Sequence, residues 1–549
     1  MKKLSIALLM LFFFNNIVFS QSCLPEGITF TSQAGIDNFQ INHPGCTQIE
    51  GDVTIMGYDN DINNLDGLSL VTSIGGILYI ANTNLTDLAG LGSLTHVGGD
   101  LLLHQNIPLQ NLTGLHSLSS VGANFELVQS GWLTSLTGLE SLTSVGGDLE
   151  ITGMNLITSL TGLEGLTSIG GELTVSYNNS LLNFSALESL NSIDSSINII
   201  WNPSLTDLTG LPAMTTIHGD LHVETNINLA SLSGVDMVTS IEGDFSLYNN
   251  NLLTDFSDLK TLDSIKGSLI IQFGAFTNFS GLDSLKFIGG GIFVSNCNAF
   301  TSFTGLDSIT SLGGPLFMQY DSTLVDFTGL GSLKTIGGQL YMEYNPAITN
   351  FTGLESLTTI MEDVWINDND ALTSLTGLGN ALIGANNNTG WLTINNNDAL
   401  TSIEGLDTLN IQSLIGVQIG SNHSLTTCAV QPLCDLLSKH NQNIYIYDNG
   451  SGCNTKTEME ELCGVVSVED LTAEKEFSIF PNPANQSIII SSKNGAPIGE
   501  VAIYNQVGQK VMHVKPLDYT VDISKLQKGM YFVEVLSRYS KNRVKLIVE

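Results

Sequence analysis

Two carboxylates, Glu126 and Glu150, lie 24 residues apart. On neighbouring strands they would stand about 5 Å from each other, close enough for one to act as acid and the other as nucleophile in glycoside cleavage. Aromatic residues recur at the same interval. Phe293, Phe317, Tyr341 and Trp365 form one series, and Tyr320 and Tyr344 form a second. Aligned on one face, these rings would either stack on each other or grip a sugar or a partner protein. His104 and His222 are five intervals apart, and no nucleophile falls in step with them. Asp59-Asn60-Asp61 and Asn367-Asp368-Asn369-Asp370 offer oxygen ligands for Ca²⁺, without the spacing of an established calcium loop. No other cofactor is expected.

Charge narrows the chemistry. Between Gln21 and Glu474 there are six Lys, no Arg and 47 of the 53 acidic residues, a net charge of −41. Nucleic acid and anionic lipid bind mainly through Lys and Arg, so this body repels both. A β-helical polysaccharide lyase would also want a cation beside the reacting carbon, and the six Lys are scattered. An enzyme is therefore not expected.

The interval of 24 belongs to a repeat, and repeats decide the fold. A Gly-Leu-like dipeptide marks it, with its apolar member at Leu68, Leu91, Leu115, Leu139 and onward to Leu406. The steps are 24 residues apart from two of 23 and a last one of 28. With Leu340 as position 1, apolar residues recur at 1, 3, 6, 9, 12, 15, 18 and 21, with Asn often replacing the apolar residue at 6, as in Leu173, Val175, Asn178, Leu181, Phe184, Leu187, Leu190 and Ile193. Alternation at 1 and 3 predicts a short strand, and the spacing of three predicts a chain wound tightly round a narrow core. Gly at positions 14, 22 and 23 is expected to supply positive φ at corners. Stacked coils would pair their strands in a parallel sheet, and both ends would need caps.

Position 6 carries Asn106, Asn178, Asn202, Asn226, Asn250, Asn345, Asn369 and Asn397, which predicts a structural ladder of amides. Cys297 shares that column and reads as a small buried thiol. The other six cysteines lie near the ends of the repeat array. Behind an export signal they read as a Cys23–Cys46 disulfide and two bridges among Cys428, Cys434, Cys453 and Cys463, with three pairings open.

The pattern L-x-[IV]-x-x-N-x-x-L resembles the strand segment of leucine-rich repeats, and more closely the receptor L domain of insulin- and growth-factor-receptor ectodomains. Cys46-Thr-Gln-Ile-Glu-Gly-Asp-Val-Thr-Ile55 is similar to that family's opening strand. The resemblance covers about residues 23–464 and implies a right-handed parallel β-solenoid. Some eighteen strands are expected if Ile28, Val417 and Ile444 begin end coils, far more than a receptor L domain holds.

The termini describe an export route. Met1-Lys2-Lys3, an apolar run to about Phe14 and small residues near Ser20 predict a cleaved secretory signal over 1–20. Ser20 stands where a lipoprotein signal wants a large aliphatic residue, so lipidation of Cys23 is not expected. No later stretch approaches the ~20 apolar residues of a membrane span. The solenoid is assigned to 21–464, a linker to 465–474 and a final domain to 475–549. That domain has strand-like runs separated by turn signals and predicts a small Ig-like β-sandwich. Phe477-Ser-Ile-Phe-Pro481-Asn482-Pro483-Ala-Asn485, together with the segment holding Gly529 and Tyr531, resembles the type A sorting domain of type IX secretion cargo in Bacteroidetes. The resemblance implies the type IX secretion machinery and its sortase as partners. The expected protein is all-β, secreted or anchored at the outer surface, and non-enzymatic. It would bind a protein or carbohydrate ligand on its solenoid face, with a carbohydrate-active β-helix lyase or glycosidase as the rival reading.

Overall fold

The computed structural model describes residues 21–57, 61–386, 390–439, 443–465, 477–492, 498–515, 519–537 and 541–549. The signal segment 1–20, nearly all of the 465–474 linker, and Asp59 and Asn60 lie outside them. The chain divides into two compact units between Val465 and Val466.

In the first unit, eighteen strands among the described residues pair in parallel and in chain order, from Ile28–Phe30 to Ile444–Tyr447. Strand Leu340–Glu343 shows why each coil begins this way. Leu340 and Met342 are buried, whereas Tyr341 and Glu343 alternate with them and reach the surface. Register is kept residue by residue, so Leu316, Leu340 and Val364 stand in line. The chain then turns inward every third residue, and Phe184, Leu187, Leu190 and Ile193 are all buried. In some coils this turn is a formal 3₁₀ helix, as at Asp66–Leu68 and Glu404–Leu406. Within the core, phenylalanines stack from coil to coil: Phe303 and Phe327 are 5.5 Å apart, Phe327 and Phe351 5.3 Å.

Two-residue strands line a second, narrower face in two sheets, one ending at Ser192–Ile193 and the next starting at Thr216–Ile217. The coil between them carries Pro212, which has no N–H to donate. There the Met214 N–H bonds back to the Pro212 carbonyl at 2.7 Å.

Glycines serve two purposes, and only one was anticipated. At position 14, Gly353 has φ +101° and Gly377 +113°, as the corner requires. The glycines at 22 and 23 do not adopt positive φ; this corrects the expectation. They are needed for space: a Cβ on Gly313 would lie 1.8 Å from the Gly289 carbonyl oxygen of the coil before. The other left-handed position is 5, held by non-glycine residues such as Trp201 (φ 53°), Tyr320 (φ 60°) and Tyr344 (φ 55°).

Position 6 is an amide ladder. Asn202 Oδ1 accepts the Asn178 N–H at 3.1 Å, although that N–H belongs to the coil before. Its Nδ2 donates to the Val175 carbonyl at 2.9 Å. The column runs on through Asn422 and Asn449, and Asp321 takes one of its places.

Disulfides close both ends. Cys23 is bonded to Cys46, Cys428 to Cys453, and Cys434 to Cys463, which selects one of the three pairings. A thiol held in a disulfide is not free for lipid attachment. Short helices accompany the bridges, Gln33–Asp37 and Phe39–Asn42 at one end, Gln431–Ser438 and Lys456–Leu462 at the other.

The second unit is a small β-sandwich. One antiparallel sheet holds Phe477–Phe480, Ser487–Ser492 and Thr520–Asp522; the other holds Ile498–Tyr504, Lys510–Val514, Gly529–Ser537 and Lys541–Val548. Phe477 is fully buried in the shared core. Between exposed Pro481 and Pro483, Asn482 donates to the Lys545 carbonyl at 2.6 Å and accepts the Ile547 N–H at 2.8 Å. It thereby staples the first turn to the last strand. Gly529 opens the longest strand, and the Tyr531 hydroxyl donates to the Gln527 carbonyl at 2.9 Å.

Candidate ligand-binding face

Outward side chains of the broad sheet come from positions 2 and 4, and the left-handed residue at 5 adds a third row. Phe293, Phe317, Tyr341 and Trp365 stand in strict register at position 2, each partly buried. Phe317 and Tyr341 are stacked at 4.6 Å with planes 5° apart, and Phe293 lies 5.8 Å from Phe317. In the row at position 5, Tyr320 and Tyr344 stack at 5.0 Å and 4°. These two remain 46% and 43% exposed, so the row is a surface feature rather than core.

The two rows flank a polar strip at position 4: Gln319, Glu343 and Asn367. Glu343 ties it together. Its Oε2 accepts the Tyr341 hydroxyl at 2.5 Å and the Gln319 amide at 2.6 Å. Burial first, then the Glu343 carboxylate, pushes the Tyr341 hydroxyl well above the usual tyrosine range, so it is a fixed donor. Further along the strip, the side-chain oxygens of Asn367 and Asn395 are buried without a partner.

Parallel stacking has a chemical consequence. Phe317 and Tyr341, and likewise Tyr320 and Tyr344, cover one face of each other and leave edges and hydroxyls outward. The other face of Tyr344 lies at the end of its row. After Tyr344 the next residue at position 5 is Asp368, whose negative charge raises the Tyr344 hydroxyl. Asp368 accepts from Asn396 Nδ2 at 3.1 Å. Its carboxyl is raised by burial, then by the charges of Glu343 and Asp370, against that hydrogen bond.

Glu126 and Glu150 are also in register on this sheet. His104, read alone from the sequence, sits beside them: its Nε2 is 2.8 Å from Glu126 Oε2. The contact is diagonal, from position 4 of one coil to position 2 of the next, a relation that register makes plain and spacing alone does not. His222 pairs instead with Glu224 at 3.0 Å. Elsewhere, a groove beside Trp132 is lined by Gln110, Asn111, Thr113, Ser135 and Thr137, amides and hydroxyls without a titratable group.

Of the two proposed calcium corners, Asp59 and Asn60 lie outside the described residues. Around Asp368 and Asp370, as elsewhere among the described residues, no group of three or more His, Cys, Asp or Glu is placed to hold a metal ion. Cys297 is free and buried, and burial pushes its thiol up to about 12, the state of an inert core residue. No helix among the described residues is long and apolar enough to cross a membrane.

A comparison with curated proteins finds no match. Residues 45–127 match the family model of the receptor L domain, at the N-terminal end of the solenoid. Residues 478–549 match that of the secretion system C-terminal sorting domain, the whole of the second sandwich save its first residue. The chain thus joins a β-solenoid, whose N-terminal coils match the receptor L domain, to a type IX sorting domain, the mark of secretion cargo.

Proposed function

We propose that the protein is a non-enzymatic binding or adhesion protein, displayed on the outer surface or released, with the broad solenoid sheet as its ligand platform. The observation that carries this reading is the pair of aromatic rows flanking a polar strip on the outward face of a secreted chain. Contiguous exposed aromatic surface is unusual on a soluble domain and marks interaction sites. Rigid stacked rings also lose little side-chain entropy when a ligand settles on them.

The alternative is a carbohydrate-active β-helix enzyme working through Glu126 and Glu150. His104 already engages Glu126, and a lyase route, which develops an anion at the reacting carbon, finds no Arg in the solenoid body to stabilise it. Both considerations favour binding over catalysis. The test is a screen of the secreted protein against glycans and surface proteins, repeated with Tyr341→Ala and Trp365→Ala. Losing a central anchor is expected to weaken a recognised ligand by about tenfold or more. Unchanged binding of every ligand would remove the platform. Product release from a polysaccharide, abolished by Glu150→Gln, would move the protein to the enzyme class.

A further inference from the structure

We propose that the ligand of this face is cationic, a basic segment of a partner protein whose guanidinium or ammonium group settles where Tyr344 meets Asp368 and Glu343. The inference rests on the platform reading and adds the chemistry of the ligand.

Acidic residues are plentiful on the solenoid, but most corner carboxylates have a backbone task. At position 24, Asp148 accepts the Glu172 N–H of the next coil at 2.7 Å, and Asp220 accepts that of Asp244 at 2.7 Å. At position 16, Glu164 and Glu355 accept the N–H of the corner residue two places earlier, at 3.0 and 2.9 Å. Glu343 and Asp368 differ. Their hydrogen bonds come from side chains on the outward face, namely Tyr341, Gln319 and Asn396. Asp370 stands beside them, and its charge and that of Glu343 make Asp368 harder to ionise.

No fixed cation answers this group. From Phe287 to Ser438 the chain has no Arg and one Lys, Lys334. Lys334 lies immediately before strand Thr335–Ile336 of the narrow face, away from the aromatic rows. Among the described residues neither Glu343, Asp368 nor Asp370 is paired with Lys or Arg, whereas Glu242 and Asp263 are.

The geometry matches one ligand chemistry. A cation is drawn to the face of an aromatic ring, and Arg also stacks on it while its N–H groups reach carboxylates. Tyr344 ends its row with Asp368 next in the column and Glu343 beside it in the chain, and both carboxylates act on its hydroxyl, so a ring and two carboxylates share one neighbourhood. A neutral sugar would want ring faces, and in the stacked pairs Phe317–Tyr341 and Tyr320–Tyr344 one face of each ring is already taken. The body's net charge of −41 adds long-range attraction for a basic partner.

The experiment titrates the secreted protein with hexa-arginine, hexa-glutamate and a neutral cello-oligosaccharide at about 0.15 M salt, where long-range charge effects are damped. Hexa-arginine is expected to bind, and Asp368→Asn, Glu343→Gln and Tyr344→Ala to weaken it about tenfold each, as loss of a paired charge or anchor does. Asp220→Asn is the control for net charge alone. Its position accepts Asn, as Asn124 shows by receiving the Asp148 N–H at 2.9 Å. It should alter binding less than about twofold, as a distant charge in salt does. Equal losses from Asp220→Asn and Asp368→Asn would overturn the proposal, leaving only diffuse charge. So would oligosaccharide binding lost in Tyr341→Ala and Trp365→Ala without hexa-arginine binding, although the platform would then stand. The platform itself falls if Tyr341→Ala and Trp365→Ala change the binding of no ligand.

Discussion

Asp321 differs by one heavy atom from the asparagines elsewhere in its column, and that atom has consequences. Its Oδ1 does what Asn does, accepting the Cys297 N–H at 2.8 Å. Its Oδ2 replaces an amide that would donate, and is buried without a partner. Burial pushes the carboxyl up to about 7, against an ordinary value of 3.8. Protonated, Oδ2 regains a hydrogen to donate, so the folded state holds a proton that the unfolded chain has released. The contribution to stability is therefore intact below about pH 4 and falls as pH rises to about 7, by an amount on the order of 4 kcal/mol. Asp321→Asn should raise stability at pH 8 and flatten the slope between pH 4 and 7. Denaturant unfolding at several pH values measures this, and an unchanged slope would refute it. Asp321 lies 24 residues after Cys297 and so was within reach of the spacing. The residues before it hid it, because three successive places in the column, Gly274, Cys297 and Asp321, lack the amide.

At the scale of the coil, periodicity was a reliable guide to what points inward. Apolar positions 1, 3, 9, 12, 15 and 18 are buried because a narrow solenoid has room for nothing else, as Leu173, Val175, Leu181, Phe184, Leu187 and Leu190 show. It was a poor guide to why glycine is present. The determinant is the adjacent coil, its carbonyl at position 22 and its backbone or position-24 side chain at position 23, which no local pattern reveals. The difference is testable with one substitution at two sites. Gly313→Ala places a methyl 1.8 Å from a backbone oxygen, whereas a Cβ on Gly331 meets nothing within 4 Å. Gly313→Ala is expected to cost several kcal/mol, of order 3, by forcing two coils apart, and Gly331→Ala less than about 0.5. Comparable melting temperatures for the two variants would show that the coils have slack. Likewise, the left-handed backbone at position 5 was not legible at Tyr, Trp, Gln and Thr, which rarely adopt it unless the surrounding ladder imposes it.

For the whole molecule, the two units divide the work. The solenoid is a stack without a central core of its own kind at the ends, so disulfide-bonded caps close it. The sandwich carries the export address. Removing residues 475–549 should leave the solenoid inside the cell envelope, while the intact chain reaches the surface or medium. Cell fractionation with intact-mass analysis measures both, and should find the extracellular form shortened by that domain. Equal export of the truncated chain would turn the sandwich into a second binding module. By itself the sequence determined the repeat length, the parallel stacking, the amide column and the sorting domain. Each follows from side-chain type at fixed spacing, which is local information repeated many times. Only the tertiary structure decided which cysteines pair at the C-terminal cap, that His104 meets Glu126, and that stacked rings spend their faces on each other beside Asp368. Those depend on distances between coils, and such distances are set by packing across the stack rather than by neighbours along the chain.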